Sequence, residues 1–506
     1  MNSTDAMYGA APKRFQMPIC DKTLNTEIST DFTLPDYQPE IRRILRVTPQ
    51  ILPPAKYVSG NSAELNGNID YELLYVGSDG ALYSAPLSAE YSMTVPLEIS
   101  SDFDLNEGVT LIADISDESI TTRVSAPRKL GIKCRLACRV KAYGMMVADE
   151  RLSGEVDPMS IERLDMTCDT SLLLSGFGET IEVSDEFTPS SSDMRVVSAV
   201  ADANVVDVTA SDGSANLSGE IMLKLILSPE GNSADSETVV RKIAFGDQVE
   251  IDDLPAGADC RGRAYVSDVK VTVEEGRILC DLNVIPEVTA YSTTPMTYTR
   301  DIYSTQNYSE CAYREYDLPT VLSVWNGNFS QSERILLAET PIQQGARLVD
   351  IWCKPTIEKL DTERGKYAIC GQCKYTMLLE SEGEYFTSEL SAPFRYESDT
   401  PVCEHVGYDA ECGVLSCRGR IEGGSIAIDS ELCVSSALFG SNRIKTLSEV
   451  RFGDAVTRYD GDIVVCFPAP DDTAWSVSKK YFVPVSKIMG VSSPTDTLSG
   501  YVVINS

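Results

Sequence analysis

His405 is the only histidine of the chain, so any Ser/His/Asp or Cys/His catalytic group would have to use it. Cys403 and Cys412 lie near it in the sequence. A lone histidine is more often a hydrogen-bonded or surface residue, and the sequence contains no Walker A, dinucleotide-binding or HExxH motif. Carboxylate pairs carry no information in so acidic a chain. The residues therefore predict a binding protein without catalytic residues or a cofactor, not an enzyme.

One cysteine spacing could support metal binding. Cys370 and Cys373 form a CxxC pair, and Cys412 and Cys417 follow, whereas zinc needs about four converging ligands. Residues three apart on a strand point to opposite faces, so we predict no metal site. Residues 1–14 contain no apolar segment typical of a secretory signal. We therefore expect most of the fifteen cysteines to be reduced and buried as small hydrophobes.

The formal net charge of −33 excludes two classes of partner. Nucleic acid requires clustered Lys and Arg, and anionic membrane surfaces repel an acidic chain. No segment approaches the roughly 18 apolar residues of a spanning helix. The acidity is expected to keep a multidomain protein soluble, with an acidic face for a basic partner as the alternative. We expect the protein to stay in the compartment where it is made.

The elements that position these residues recur three times. Apolar side chains alternate along residues 67–80 and a polar turn with glycine follows, which is typical of a strand entering a hairpin. The same plan returns from Gly219 and from Gly371, and the leading glycines are separated by identical intervals of 152 residues. A repeat of this length is a domain. We predict that Gly67, Gly219 and Gly371 lie at equivalent strand starts of three domains.

Short strands with Gly/Asp turns and few helical windows predict a mainly β fold. We expect three tandem antiparallel domains, sandwich- or barrel-like, over residues 1–155, 160–303 and 309–442. Residues 441–462 are polar and predict a connector.

The last segment, residues 460–506, has a different pattern and predicts a small β-α-α-β domain. A strand over residues 463–467 precedes an N-cap at Asp471 or Asp472. A helix through Trp475 and Tyr481 follows, and the pattern then indicates a second helix over 485–489 and a closing strand over 500–505. The alternative is a β-hairpin tail with a core tryptophan.

Two stretches of the first unit resemble a known family. Residues 34–47, Leu-Pro-Asp-Tyr-Gln-Pro-Glu-Ile-Arg-Arg-Ile-Leu-Arg-Val, and then residues 67–75 are similar to the sporulation-associated repeat domain called SPOCS. The resemblance is clearest in the first unit and weaker in the other two. It implies a role in clostridial spore-envelope assembly and supplies no catalytic residues.

The C-terminal segment resembles a LysM domain. Asp472-Thr473, Trp475-Ser476 and Lys480-Tyr481 stand where that family has Asp-Thr, Trp-Ser and Lys-Tyr. The sequence departs from the family pattern at Asp471, where glycine is usual, and at Ala474, where leucine is usual. The asparagine that often ends the second helix is also missing.

Together the two resemblances imply a non-enzymatic adaptor of spore coat assembly. Its LysM-like domain would dock the coat basement-layer ATPase, a SpoIVA-like morphogenetic protein, and the chain would lie in the mother-cell cytoplasm on the forespore surface and in the coat. Other coat proteins are further expected partners. The alternative is a LysM protein that binds peptidoglycan through N-acetylglucosamine chains, although such glycan lies outside the membrane and no export signal is visible.

Aromatic residues in this domain are the candidates for partner binding. Trp475 and Val477 lie two positions apart and face apart on a helix, whereas Val477 and Tyr481 share a face. One face should pack on the strands and the other should meet a partner, since exposed aromatic residues often mark interfaces. The predicted partner-binding residues are Asp472, Thr473, Trp475, Lys480, Tyr481, Phe482 and Ile488.

Overall fold

The computed structural model describes residues 13–104, 106, 108–191, 193–229, 236–343, 345–457 and 463–505. Strands account for 76% of the structure and helices for 4%, so the chain is mainly β, and its sheets are almost entirely antiparallel. The predicted fold class is confirmed. Of the predicted domain limits, residues 1, 460 and 506 lie outside the described ranges.

The first β domain consists of two sheets. Its seven strands are β1 (Lys13–Thr33), β2 (Ile41–Ile51), β3 (Ala55–Ser59), β4 (Ser62–Gly77), β5 (Leu82–Pro96), β6 (Val109–Ala126) and β7 (Lys129–Ala148). One sheet has the order β1-β7-β6, and in the other β4 pairs with β2, β3 and β5. The inward side chains of both sheets form one apolar core, as in a β-sandwich.

The second domain repeats this plan. After the short strand β8 (Arg151–Ser153) come β9 (Ile161–Phe177), β10 (Ile181–Phe187), β11 (Met194–Ser211), β12 (Ser214–Pro229), β13 (Glu237–Glu250), β14 (Asp259–Glu274) and β15 (Arg277–Ser304). The sheet β11-β12-β13 corresponds to β2-β4-β5. In the other sheet, β15 pairs with β9, β10 and β14, so β9 and β10 together take the place of β1.

The third domain contains β16 (Asn307–Leu336), β17 (Arg347–Glu363), β18 (Lys366–Ser381), β19 (Glu384–Pro401), β20 (Gly407–Glu422) and β21 (Ser425–Ala455). The sheets are β16-β21-β20 and β17-β18-β19, and β8 joins β21 as a parallel edge strand. The predicted connector over 441–462 is wrong from 441 to 455, because β21 continues there. Its buried apolar residues Ile444, Leu447, Val450 and Phe452 are separated by polar ones, so an amphipathic strand looked polar in sequence.

The three repeat glycines occupy equivalent positions. Each is the sixth residue of a 16-residue central strand, inside the strand rather than at its start as predicted. Each lies opposite an aromatic residue of the next strand: Gly67 opposite Tyr91, Gly219 opposite Phe245, and Gly371 opposite Phe394. A Cβ at any of the three would come within 3.0 Å of that ring. Glycine therefore recurs at this position because the aromatic ring of the next strand occupies the space that a Cβ would need.

The three domains, together called the body here, meet at one apolar junction. Leu74, Ile226 and Leu378 are spaced 152 residues apart in the three central strands, and all are buried in the same cluster. The residues Leu45, Val197 and Val349, again 152 apart, join it from the adjacent strands. Equivalent side chains from each domain thus form a junction with approximate threefold symmetry.

Three equivalent arginines close the domains into a ring. Arg43 of the first domain donates to the carbonyl of Tyr385 in the third, at 3.1 Å. Arg195 of the second donates to the Leu82 carbonyl of the first, and Arg347 of the third to the Ser236 carbonyl of the second, both at 2.8 Å. Each domain therefore contacts the next in the same head-to-tail manner, which closes after three.

Buried charges next to the junction also pair between domains. Lys224 of the second domain lies 3.1 Å from Asp350 of the third, and both side chains are 2% exposed. The Arg46 guanidinium of the first domain lies 3.4 Å from the centroid of the Trp352 ring of the third. Buried pairs of this kind contribute little net stability but strongly disfavour arrangements that leave one charge unpaired.

The C-terminal domain is small. It contains β22 (Ile463–Cys466), α1 (Ala474–Tyr481), a 3-10 turn (Val485–Lys487) and β23 (Val502–Asn505), and β22 pairs with β23. The predicted first helix and both strands are present. The second predicted helix is only the 3-10 turn, because Ile488 leaves it in an extended conformation and pairs with Ile504.

Candidate docking surface of the C-terminal domain

Helix α1 is fixed at both ends by local contacts. Thr473, not Asp471 or Asp472, is the N-cap: Ser476 N donates to Thr473 Oγ1 at 3.2 Å, and Thr473 N donates to Ser476 Oγ at 2.9 Å. This reciprocal pair is a capping box, with serine in place of the usual Glu or Gln. Asp472 instead accepts from Ala469 N at 2.8 Å and from Ser476 Oγ at 3.1 Å. The helix ends at Phe482, whose φ is +52°.

One face of α1 covers the two-stranded sheet. Val477 is buried in a core with Cys466, Ile488, Leu498, Val502 and Ile504. Tyr481, which shares this face, packs against the same core. Ile488 therefore belongs to the hydrophobic core of the domain and is not part of its outer surface.

The opposite face of α1 contacts the body. Trp475 is only 5% exposed, and its indole Nε1 donates to Asp301 Oδ2 at 2.8 Å. Its ring meets that of Tyr303 edge-on, with centroids 4.9 Å apart, and Leu164 packs against both. Phe482 makes a second edge-on contact with Tyr308, at 5.3 Å between centroids. The aromatic face predicted for a partner is thus occupied by the chain's own β domains.

Asp301 is the polar centre of this contact. Besides Trp475 it accepts from Lys479 Nζ and from the Tyr313 hydroxyl, each at 2.6 Å. Burial alone would raise the pKa of Asp301, but the hydrogen bonds from Lys479, Trp475 and Tyr313 outweigh it and hold the pKa below the usual value. The Tyr303 hydroxyl adds a hydrogen bond of 2.6 Å to the Val483 carbonyl.

The predicted site residues therefore fall into separate groups. Trp475 and Phe482 contact the body, and Ile488 lies in the core. Asp472 and Thr473 hold the start of the helix. Lys480 is exposed, with its Nζ 5.9 Å from the centroid of the Tyr481 ring. The structure does not bring these residues together on one free surface.

A free apolar surface lies on the outer side of the β22–β23 sheet. We call it the hairpin face, and it consists of Ile463, Val465, Phe467, Met489 and Tyr501, which are 63%, 55%, 81%, 60% and 69% exposed. Val465 is paired with Val503, and Met489 N donates to the Val503 carbonyl at 2.9 Å, so these residues are neighbours. Phe467 and Tyr501 continue the same alternation just beyond the paired residues.

The hairpin face was not predicted, although the sequence contains a local signal for it. Residues 463–467 form an unbroken apolar run, Ile-Val-Val-Cys-Phe, in which only Cys466 is buried and Val464 half-buried. A strand of a one-layer sheet needs apolar residues on one face only, so such a run indicates a second covered face. Contiguous apolar patches on a protein surface often mark interaction sites. None of the five residues is charged.

The cysteines and the histidine that the sequence offered as candidate metal ligands or catalytic residues make ordinary structural contacts. Cys373 faces the core of the third domain beside Cys353 and Cys417, whereas Cys370 receives a hydrogen bond from Arg395 at 3.3 Å on the other face, as the strand spacing predicted. All fifteen cysteines lie in the described ranges, where none is disulfide-bonded; nine are buried and Cys403 alone is exposed. His405 Nδ1 lies 3.1 Å from the Tyr367 hydroxyl. Within the described ranges no group of His, Cys, Asp or Glu is arranged to hold a metal ion.

No protein-family model, curated protein or solved structure matched the chain. In the part of the chain that the structure describes, no helix has the length and hydropathy of a membrane span. The fold and the site by themselves define a class: a multidomain β protein whose C-terminal domain is fixed to the body by one face and exposes an apolar sheet on the other.

Proposed function

We propose that this chain is a non-enzymatic assembly adaptor of the spore envelope whose C-terminal domain docks the coat basement-layer ATPase. The observation that carries the proposal is the hairpin face, an exposed, uncharged, apolar sheet surface on the side of the C-terminal domain away from α1. Interfaces are typically centred on such surfaces, with aromatic anchors. Phe467 and Tyr501 are the exposed aromatic residues of this face.

The sequence motifs supply the context of the proposal. Three SPOCS-like domains followed by a LysM-like domain resemble the order in SipL, a clostridial coat morphogenetic protein. On this proposal the chain acts in the mother-cell cytoplasm at the forespore surface, and the three-domain ring is a rigid support that presents the hairpin face.

A pair of binding assays tests the proposal against its alternative. The purified chain is incubated with the purified ATPase and, separately, with insoluble peptidoglycan. Capture of the ATPase, lost in Phe467→Glu, is the expected result. Binding to peptidoglycan without capture of the ATPase would instead support a glycan-binding LysM protein, for which exposed aromatic rings could serve as stacking surfaces.

Phe467→Glu is suited to this purpose because its side chain is 81% exposed and its replacement should leave the fold intact. Met159→Glu is the matched control, because Met159 is 91% exposed on a turn of the body and undergoes a similar change from apolar to acidic.

A further inference from the structure

The helix face of the C-terminal domain already has an occupant, the body of the same chain. The contact combines an apolar part, where Trp475 packs on Tyr303 and Phe482 on Tyr308, with the carboxylate of Asp301. Among the described residues, only a few side chains take part in it. Contacts of limited size between domains usually permit relative motion, so the bound position depends on how well its polar groups are satisfied.

Asp301 is the polar group whose hydrogen bonds depend most on the bound position of the C-terminal domain. Two of its three side-chain donors, Trp475 and Lys479, come from α1, and only Tyr313 comes from the body. The pairing of β15 with β9 shifts by one residue between Thr299 and Asp301, which is a β-bulge. Bulges re-aim side chains, and this one precedes the residue that contacts α1. If the C-terminal domain moved away, Asp301 would lose two hydrogen bonds, one of them from a cation.

We propose that Asp301 is the positioning residue of a latch between the body and the C-terminal domain. The closed latch covers Trp475 and Phe482 and leaves the hairpin face as the apolar surface that the domain offers. Opening the latch uncovers the helix face as a second apolar surface. The latch does not require the proposed function.

Two neighbouring lysines of α1 provide a matched test by hydrogen–deuterium exchange of the full chain. Lys479 binds Asp301, whereas Lys480 is exposed and makes no hydrogen bond or ion pair with the described residues of the body. Lys479→Met and Lys480→Met remove the same charge from adjacent helical positions. We expect exchange in α1 and in the 298–304 segment of β15 to accelerate about tenfold in Lys479→Met, as for the loss of one charged hydrogen bond, and to stay unchanged in Lys480→Met.

Two substitutions at Asp301 should accelerate hydrogen exchange to different degrees. Asp301→Asn keeps an acceptor for Trp475 but loses the ion pair, and Asp301→Ala loses both, so exchange should increase in that order. Amides of β22 and β23 report folding of the C-terminal domain itself and should remain protected in every variant. Equal exchange in the two lysine variants overturns the latch. Loss of protection in β22 and β23 together with α1 also overturns it, since Lys479 would then support the domain's own fold.

The exchange experiment contains no partner, so its outcome is separable from that of the proposed function. If exchange accelerates in Lys479→Met but Phe467→Glu still captures the ATPase, the latch is supported and the hairpin face is rejected as the docking surface. Loss of capture in Phe467→Glu with identical exchange in both lysine variants retains the hairpin face and rejects the latch.

Discussion

Replacing Gly219 by alanine should destabilise the second β domain by about 1–2 kcal/mol. The new Cβ would press on the Phe245 ring and on the carbonyl oxygen of Asn204, and a backbone atom in a paired strand cannot move aside cheaply. Overpacking of this kind costs about 1–3 kcal/mol, and the lower entropy of the unfolded alanine chain offsets about 0.4–1 kcal/mol. Gly371→Ala meets the Phe394 ring and the Thr356 carbonyl, so a similar loss is expected.

The third member of the set should respond less. The three atoms nearest to a Cβ at Gly67 all belong to the side chain of Tyr91, which can shift at the cost of its hydrogen bond to the Leu52 carbonyl. Gly407→Ala is the control, because a Cβ there has no atom within 4 Å.

Scanning calorimetry of the four variants tests this order. The melting temperature of a domain of this size falls by about 2–4 °C per kcal/mol, and by less if the whole body melts as one unit. The predicted order of the melting temperatures is the same whether the domains melt separately or together. A melting temperature for Gly407→Ala as low as that for Gly219→Ala, or no change in Gly219→Ala, would refute the reasoning that the glycines accommodate the rings.

Three further predictions concern the ring, the latch and the thiols. Arg195→Ala removes a charged donor to the Leu82 carbonyl and should weaken the contact between the first two domains by about 1.5–3 kcal/mol, seen as faster hydrogen exchange at the start of β5. Arg420→Ala, which breaks an exposed ion pair with Asp429, should change stability by less than about 1 kcal/mol. Because the folded pKa of Asp301 is lowered, the latch should be fully stable above the usual Asp value of about 3.9 and weaken as pH falls through the lower folded pKa. Exchange of α1 should show this acid step, and Asp301→Asn should abolish it; a step that persists there belongs to another carboxyl group, such as Glu162 near Tyr303, because phenol and thiol groups do not change charge in this pH range. In a thiol-reagent assay on the folded chain Cys403 should react first, since it alone is exposed and burial raises the pKa of most others, that of Cys138 to about 12; rapid reaction of several thiols would contradict this.

The sequence allowed the architecture to be predicted because its signals are local and repeated. The interval of 152 residues and the period-two alternation identified three equivalent hairpins, and the pattern around Trp475 identified the helix of the last domain. The same interval relates Arg43, Arg195 and Arg347, so the ring contacts were also present in the repeat. They could not be interpreted without knowing which surfaces of the domains meet.

The contact between the helix face and the body could not be predicted in the same way. The helix was correctly expected to have two apolar faces, but its outer face contacts Asp301, which is 174 residues from Trp475 in the sequence. Long-range contacts of this kind leave no local pattern. The N-cap was misplaced for a different reason: Thr473 and Ser476 form a capping box that competes with the preceding aspartates, and serine at its third position is a weaker signal than Glu.

The central claim, that the hairpin face captures the coat ATPase, is tested most directly by the affinity of the full chain for that ATPase. Phe467→Glu places a charge within the proposed apolar contact, and hot-spot losses of at least about 2 kcal/mol correspond to a dissociation constant about 30-fold weaker. Met159→Glu should bind as the unaltered chain does. Equal affinities for Phe467→Glu and Met159→Glu, with the C-terminal domain folded in both, would contradict the account.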